Sequence, residues 1–282
     1  MADVVALVFD FDDTLAPDST SGFLQDMGVD PAAFWRDEVN PLLDHEDWDP
    51  VPAYLYRMLE LSRSGCHGPI TRDRLRDWGA RLPLHEGVGT LFERLRARLR
   101  QAHPTVQLEC YLISSGIGDV LRATPIAGQF TDIWASEFHY DAQGAIAFPR
   151  RIVSFTDKTR YLFHIQKGII GPGSRNKPFE VNRKVDADKL RVPLDQMIFV
   201  GDGYTDIPCF SLVRRSGGVA FGVWDPRHKE KRSRAWGFIE DGRVSNLNQA
   251  RFGEDAELYQ WLEAAVESLA SKIVLRARTY RG

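Results

Sequence analysis

The chain has 282 residues, 43% of them hydrophobic and 27% charged, which is enough to bury one large core and a smaller module. A formal net charge of −3 leaves no electrostatic footprint for wholesale polyanion binding, so nucleic acid is not expected as a partner. No apolar run reaches the roughly 18 residues of a membrane span, and the 3 cysteines (Cys66, Cys110, Cys209) have neither metal-binding nor disulfide-framework spacing.

An apolar run from Val4 to Phe9 reads as a buried β-strand. It begins so near Met1 that no cleavable signal is expected before it, which points to a cytoplasmic protein. The strand runs into Asp10-Phe11-Asp12-Asp13-Thr14-Leu15. In an open parallel sheet, ligands sit beyond the carboxyl ends of the strands, so these carboxylates stand where chemistry is done, although an acidic turn has the same composition.

Residues 16–84 are too many for a plain crossover and read as an inserted, all-helical cap. Helices are expected around 31–44, 51–64 and 71–81, the last with Thr71 as its N-cap. Trp35, Trp48 and Trp78 are read as the interior of that module rather than as pocket residues. From Gly87 to Arg100 an amphipathic helix with Leu91, Leu95 and Leu99 on one face returns to the core.

Leu108 to Ile113 is a second buried strand, ending in Ser114-Ser115-Gly116, where a hydroxyl and a flexible turn suit an anion. The runs 133–139 and 145–148 flank Asp141-Ala142-Gln143-Gly144 as a hairpin at the edge of the sheet. A helix capped by Thr156 or Asp157 would carry Lys158 in its first turn and Lys167 near its far end. Residues 168–181 read as a loop bordering the active site. A third strand, 196–200, leads into Gly201-Asp202-Gly203-Tyr204-Thr205-Asp206, where the glycines permit a tight turn and a helical turn would put Asp202 and Asp206 on one face. A strand over 219–224, a basic run over 227–234 read as a solvated face, and a closing helix over 256–273 complete the chain.

In this order the motifs resemble the haloacid dehalogenase-like hydrolase superfamily, in particular its phosphatase branch with the layout of phosphoserine phosphatases. Asp10-Phe-Asp12-Asp-Thr14 matches the first motif of that family, Ser114 in Leu-Ile-Ser-Ser-Gly the second, a downstream lysine the third, and Gly-Asp202-Gly-Tyr-Thr-Asp206 the fourth. The resemblance implies an α/β fold with a Rossmann-like parallel sheet core flanked by helices (residues 1–15 and 85–282) and an inserted helical cap (16–84). It implies that Asp10 is a nucleophile forming an aspartyl-phosphate and that Asp12 is the general acid and base. Dehalogenases of the family lack an acid at the position of Asp12, which favours phosphoryl chemistry. Phosphate would be held by Ser114, Ser115, Gly116 and Lys158, with Lys167 and Lys184 as the other lysine candidates.

Four crowded carboxylates repel one another and a phosphate, so a cation is required. Hard oxygen donors with no His or Cys pair nearby select Mg²⁺ over Zn²⁺. By resemblance its ligands are the Asp10 and Asp202 carboxylates and the Asp12 carbonyl, with Asp206 binding through water or orienting the others. The expected partner is a small phosphorylated metabolite, with neither nucleic acid nor membrane. A phosphomutase, or a non-catalytic regulatory protein on the same fold, is the alternative. Asp18 and Arg57 are nominal candidates for reading the leaving group.

Overall fold

The structure, a computed structural model, describes residues 3–174, 177–228 and 236–279. Strand β1 (Val4–Phe9) is buried along its whole length, as its unbroken apolar run requires. It sits at the centre of a seven-stranded sheet of order β4-β3-β2-β1-β5-β6-β7, with β2 spanning Gln107–Ile117, β3 Asp132–Tyr140, β4 Ile146–Arg151, β5 Met197–Gly201, β6 Val219–Trp224 and β7 Asn246–Gln249. Every neighbouring pair is parallel except β3 and β4, which form the expected antiparallel hairpin at one edge.

Val5, Leu7 and Phe9 point into one apolar layer and Val4, Ala6 and Val8 into the other, the period-2 alternation of a strand covered on both faces. Between β1 and β2 the chain forms helices α1 (Ser19–Asp26), α2 (Pro31–Ala33), α3 (Asn40–His45), α4 (Pro50–Ser64), α5 (Arg72–Arg81) and α6 (Val88–Ala102). Helix α6 packs on β2 and on the closing helix α10 (Glu257–Thr279), which covers β1. On the opposite face lie α8 (Phe155–Lys167) and α9 (Ile207–Arg215), while the short α7 (Gly118–Leu121) follows β2.

Sheet order explains where a site must form. From β1 the chain steps to β2, β3 and β4 on one side, then crosses back to β5 on the other. The carboxyl ends of β2, β1 and β5 are therefore neighbours, with β1 at the point where strand order reverses, the crevice in which open α/β sheets bind ligands.

The structure departs from the sequence expectations in several places. Helix α1 and strand β7 were not foreseen. The expected helix over 31–44 is interrupted by a π-helical stretch at Phe34–Val39, a widened turn that is frequent at functional sites. Ser114-Ser115-Gly116 is the irregular end of β2 rather than a turn beyond it: pairing with β3 shifts register between Ile113 and Ile117, because the Gly116 N–H bonds the Ser114 hydroxyl instead of a neighbouring strand. Ser154 takes the N-cap position of α8, ahead of the expected Thr156 or Asp157, which lie within the helix. The described residues of 168–181 do not line the crevice, and Ser174 and Pro178 among them line a separate hollow with Trp134 and Arg160. Of the basic run 227–234, Lys229 to Arg234 lie outside the described residues. Among the described residues no helix is long and apolar enough to cross a membrane.

Candidate active site

The crevice holds a cavity of about 210 Å³ lined by Asp10, Asp12, Ser114, Ser115, Gly116, Lys158 and Asp202, together with Asp18, Trp35 and Tyr54. Asp10 follows β1 directly and is anchored by its backbone N–H, which donates to the Val200 carbonyl of β5 at 2.9 Å. Two residues on, Asp12 accepts a 2.7 Å bond from the Ser19 N–H, and Asp13 turns the chain in a left-handed conformation (φ 56°) that Asp tolerates better than most side chains. Asp206 turns its carboxylate back to accept the Gly203 N–H at 3.1 Å. Ligand atoms of Asp10, Asp202 and Asp206 lie within 4.8 Å of one another, a set of hard oxygens that fits a metal ion.

Lys158 is completely buried, with its ammonium 2.9 Å from Asp10 and 2.7 Å from Asp206. Of the other two lysines, Lys167 donates to the Val181 and Arg183 carbonyls and Lys184 is exposed, and neither lines the cavity. Two glycines are fixed by close approach. A Cβ on Gly116 would stand 2.5 Å from an Asp12 carboxylate oxygen, and one on Gly201 would stand 2.5 Å from the Asp206 carboxylate. Ser114 uses an oxygen lone pair for the Gly116 N–H at 2.9 Å, which leaves its own proton available. The Ser115 hydroxyl is buried without a hydrogen-bond partner among the described residues.

Electrostatics follow from this crowding. Burial, then the Asp206 charge, push the Asp10 carboxyl up to about 6 despite Lys158 beside it. Burial and the Asp18 charge push Asp12 up to about 8, against the Ser19 hydrogen bond. Asp202 rises well above the ordinary carboxylate range through burial and its neighbours Asp10 and Asp206. Burial disfavours the Lys158 charge, but Asp10 and Asp206 outweigh it and raise that pKa. With all of these carboxylates ionised the site would carry more negative charge than its one lysine offsets, which a divalent cation would relieve.

The sequence patterns matched to a family model settle what this constellation belongs to. The model for haloacid dehalogenase-like hydrolases matches residues 7–211, most of the chain, and spans all four motifs. This chain belongs to that family. The hydrolase is also similar over 281 residues, at 27% identity, to an uncharacterized protein of Borreliella burgdorferi, covering 92% of this chain and 95% of that one. Among solved structures it resembles a phospho-aspartyl intermediate analogue of phosphoserine phosphatase (TM-score 0.53, 15% identity, 92% of this chain and 98% of that one). It likewise resembles a HAD family hydrolase of Salmonella enterica serovar Typhi (TM-score 0.53, 14% identity, 82% of this chain), of which the match spans 65%. At these identities the structures establish a shared fold, a parallel-dominant sheet flanked by helices.

Of the two nominal candidates for reading the leaving group, Asp18 lines the cavity, while the lining residues Trp35 and Tyr54 were not foreseen from sequence. Asp18 caps α1, accepting from the Thr20 and Ser21 N–H groups at 3.0 and 3.1 Å, and an N-cap signature of Asp followed by Ser and Thr was there to be read. Trp35 was expected only in the interior of the insertion. It packs there but also reaches the cavity from the π-helical stretch, its indole N–H donating to the Ser21 hydroxyl at 2.8 Å. Tyr54 on α4 donates to the Ser115 carbonyl at 2.7 Å and ties the insertion to the end of β2. Arg57 lies elsewhere, bonded to Glu60 at 2.8 Å in a different hollow.

Proposed function

We propose that the hydrolase is a Mg²⁺-dependent phosphatase that cleaves a small phosphomonoester through an aspartyl-phosphate on Asp10. The observation carrying this reading is the buried Lys158 ammonium 2.9 Å from Asp10, with two further carboxylates, Asp202 and Asp206, at metal-ligand spacing. When bound to the carboxylates of Asp10 and Asp202 and the carbonyl of Asp12, with Asp206 alongside, Mg²⁺ supplies charge neutralisation and a position for one phosphate oxygen.

The chain's own groups do the rest. Lys158 holds Asp10 in place and offers a positive charge to the transferring phosphoryl group, while the Ser114 and Ser115 hydroxyls are placed to donate to its oxygens. The Asp10 carboxylate attacks phosphorus as the bond to the leaving oxygen breaks. Asp12, whose carboxyl is raised by burial above the usual carboxylate range, delivers a proton to the leaving alkoxide. As a carboxylate it then takes a proton from the water that attacks the aspartyl-phosphate, releasing phosphate and restoring both acids. Trp35 and Tyr54 roof the cavity from the helical insertion, which acts as a cap that opens to admit substrate and closes to exclude water. The reading places the enzyme among cytoplasmic enzymes of phosphorylated metabolites.

The test is phosphate release from p-nitrophenyl phosphate and a panel of metabolite phosphates, with Mg²⁺ and with EDTA. Release by the wild type in Mg²⁺, lost in EDTA and in Asp10→Asn, is the expected result. Full activity in chelator, or in Asp10→Asn, overturns the assignment.

A further inference from the structure

The site cavity of about 210 Å³ is smaller than the roughly 300 Å³ at which pockets begin to hold a whole small-molecule ligand. A substrate larger than this cavity that seats its phosphoryl group there extends outside it. Thr205 lines this cavity and also a second hollow of about 670 Å³, walled by Pro50, Phe155, Tyr204, Ile207 and Pro208. The two meet at the turn that follows Asp202.

Three separate elements build the second hollow. Pro50 opens α4 of the insertion, and Phe155 opens α8 three residues ahead of Lys158. Tyr204 to Pro208 carry the chain from Asp202 into α9. Tyr204 stands 56% exposed, with its ring edge-on to Phe238 at 6.2 Å. Among the described residues no charged side chain lines this hollow. A polyol or an amino-acid zwitterion lying there would exchange water for walls whose side chains offer only the Tyr204 and Thr205 hydroxyls as partners, whereas an apolar group would lose only unfavourable hydration. Its continuity with the reactive cavity, through Thr205, makes this apolar surface available to whatever the cavity's ligand carries beyond its phosphoryl group.

We propose that this shelf receives the leaving group, and that the substrate is a phosphomonoester of an apolar alkyl or aryl alcohol. The inference rests on the phosphatase reading. The phosphorus–oxygen bond to the alcohol breaks as Asp10 attacks, the alcohol oxygen takes the Asp12 proton, and the neutral alcohol departs over Tyr204 and Ile207.

The experiment compares straight-chain monoalkyl phosphates of increasing length with phosphoserine, in Mg²⁺, for wild type, Tyr204→Ser and Pro50→Ser. Binding of the matching alkyl phosphonates, which cannot be hydrolysed, is measured by calorimetry. A fully buried methylene is worth about fourfold, so about twofold per methylene is expected on a shelf open on one side. The proposal predicts that kcat/KM and phosphonate affinity rise by that factor over the first few methylenes. The long-to-short ratio should collapse in Tyr204→Ser, and phosphoserine should fall below the longer esters. Hydrolysis that is flat or falling with chain length overturns the shelf while leaving the phosphatase standing. No hydrolysis of any ester overturns the phosphatase reading, and phosphonate affinity then decides the shelf alone: a rise with length sustains it, and none rejects it.

Discussion

At the scale of single residues, the site depends on how closely the backbone approaches its carboxylates. Gly116 is the sharpest case, since the Cβ of an alanine would stand 2.5 Å from an Asp12 oxygen and 3.2 Å from the Ser114 hydroxyl. The Asp12 carboxylate would have to swing away, losing its bond to the Ser19 N–H, while the packing beneath it stays. We therefore expect Gly116→Ala to melt within a few degrees of wild type and to lose about 100-fold in kcat, the lower range of a general acid's contribution. Melting by circular dichroism beside steady-state kinetics tests this, and activity within twofold of wild type would contradict it. Asp10, Asp12, Asp202 and Ser114 were legible in the sequence because each follows an apolar run at a strand end. Trp35 and Tyr54 were not, because their place in the cavity depends on how the helices of the insertion pack, which no local pattern encodes.

At the scale of elements, the helices between β1 and β2 approach the backbone around the end of β2 closely. On α5, a Cβ at Gly79 would fall 2.2 Å from the Val120 carbonyl of α7, the short helix that follows β2. Gly79→Ala must push the two helices apart, and such overpacking costs about 2 to 3 kcal/mol. Urea denaturation measures it; a loss below about 0.5 kcal/mol, the size of an ordinary surface change, would show that the helices are not in contact as described. Strands β1, β2 and β5 were legible because burial on both faces yields continuous apolar runs. Strand β7 escaped because Asn246-Leu247-Asn248-Gln249 is mostly polar, as befits a sheet edge, and α1 escaped because it opens on Ser19-Thr20-Ser21, which reads as a loop. The π-helical stretch was hidden by the hydrophobic spacing of 31–44, which fits one helix, although Pro41, with no N–H to give an i−4 carbonyl, marks the break just beyond it.

At the scale of the whole molecule, the buried acids make stability depend on pH and metal. Asp10 is pushed up to about 6, Asp12 to about 8, and Asp202 well above the usual range. The folded chain therefore keeps protons that the unfolded chain begins to release near pH 4, and these groups lower stability as pH rises from there toward 8. Lys158 adds no slope in that window, since its raised pKa gives stability that is complete below the unfolded value of about 10.4. His85 and His164, whose pKa values burial lowers, act in the opposite sense, so the informative quantity is a difference between variants. In EDTA, Asp12→Asn should gain in Tm over wild type as pH rises from 5 to 8, and Mg²⁺ should raise the wild-type Tm at pH 8. A difference that is constant across that range would mean that Asp12 is ionised throughout.

The central claim is that Asp10 carries the phosphoryl group. The measurement that tests it most directly is acid quenching of the Mg²⁺-loaded enzyme during turnover of p-nitrophenyl phosphate, followed by mass spectrometry of its peptides. Because p-nitrophenolate leaves without a proton, Asp12→Asn should accumulate the intermediate that wild type clears. The account predicts a phosphoryl group on Asp10, more abundant in Asp12→Asn than in wild type. Phosphorylation of any other residue, or none in either protein while phosphate is released, would contradict it.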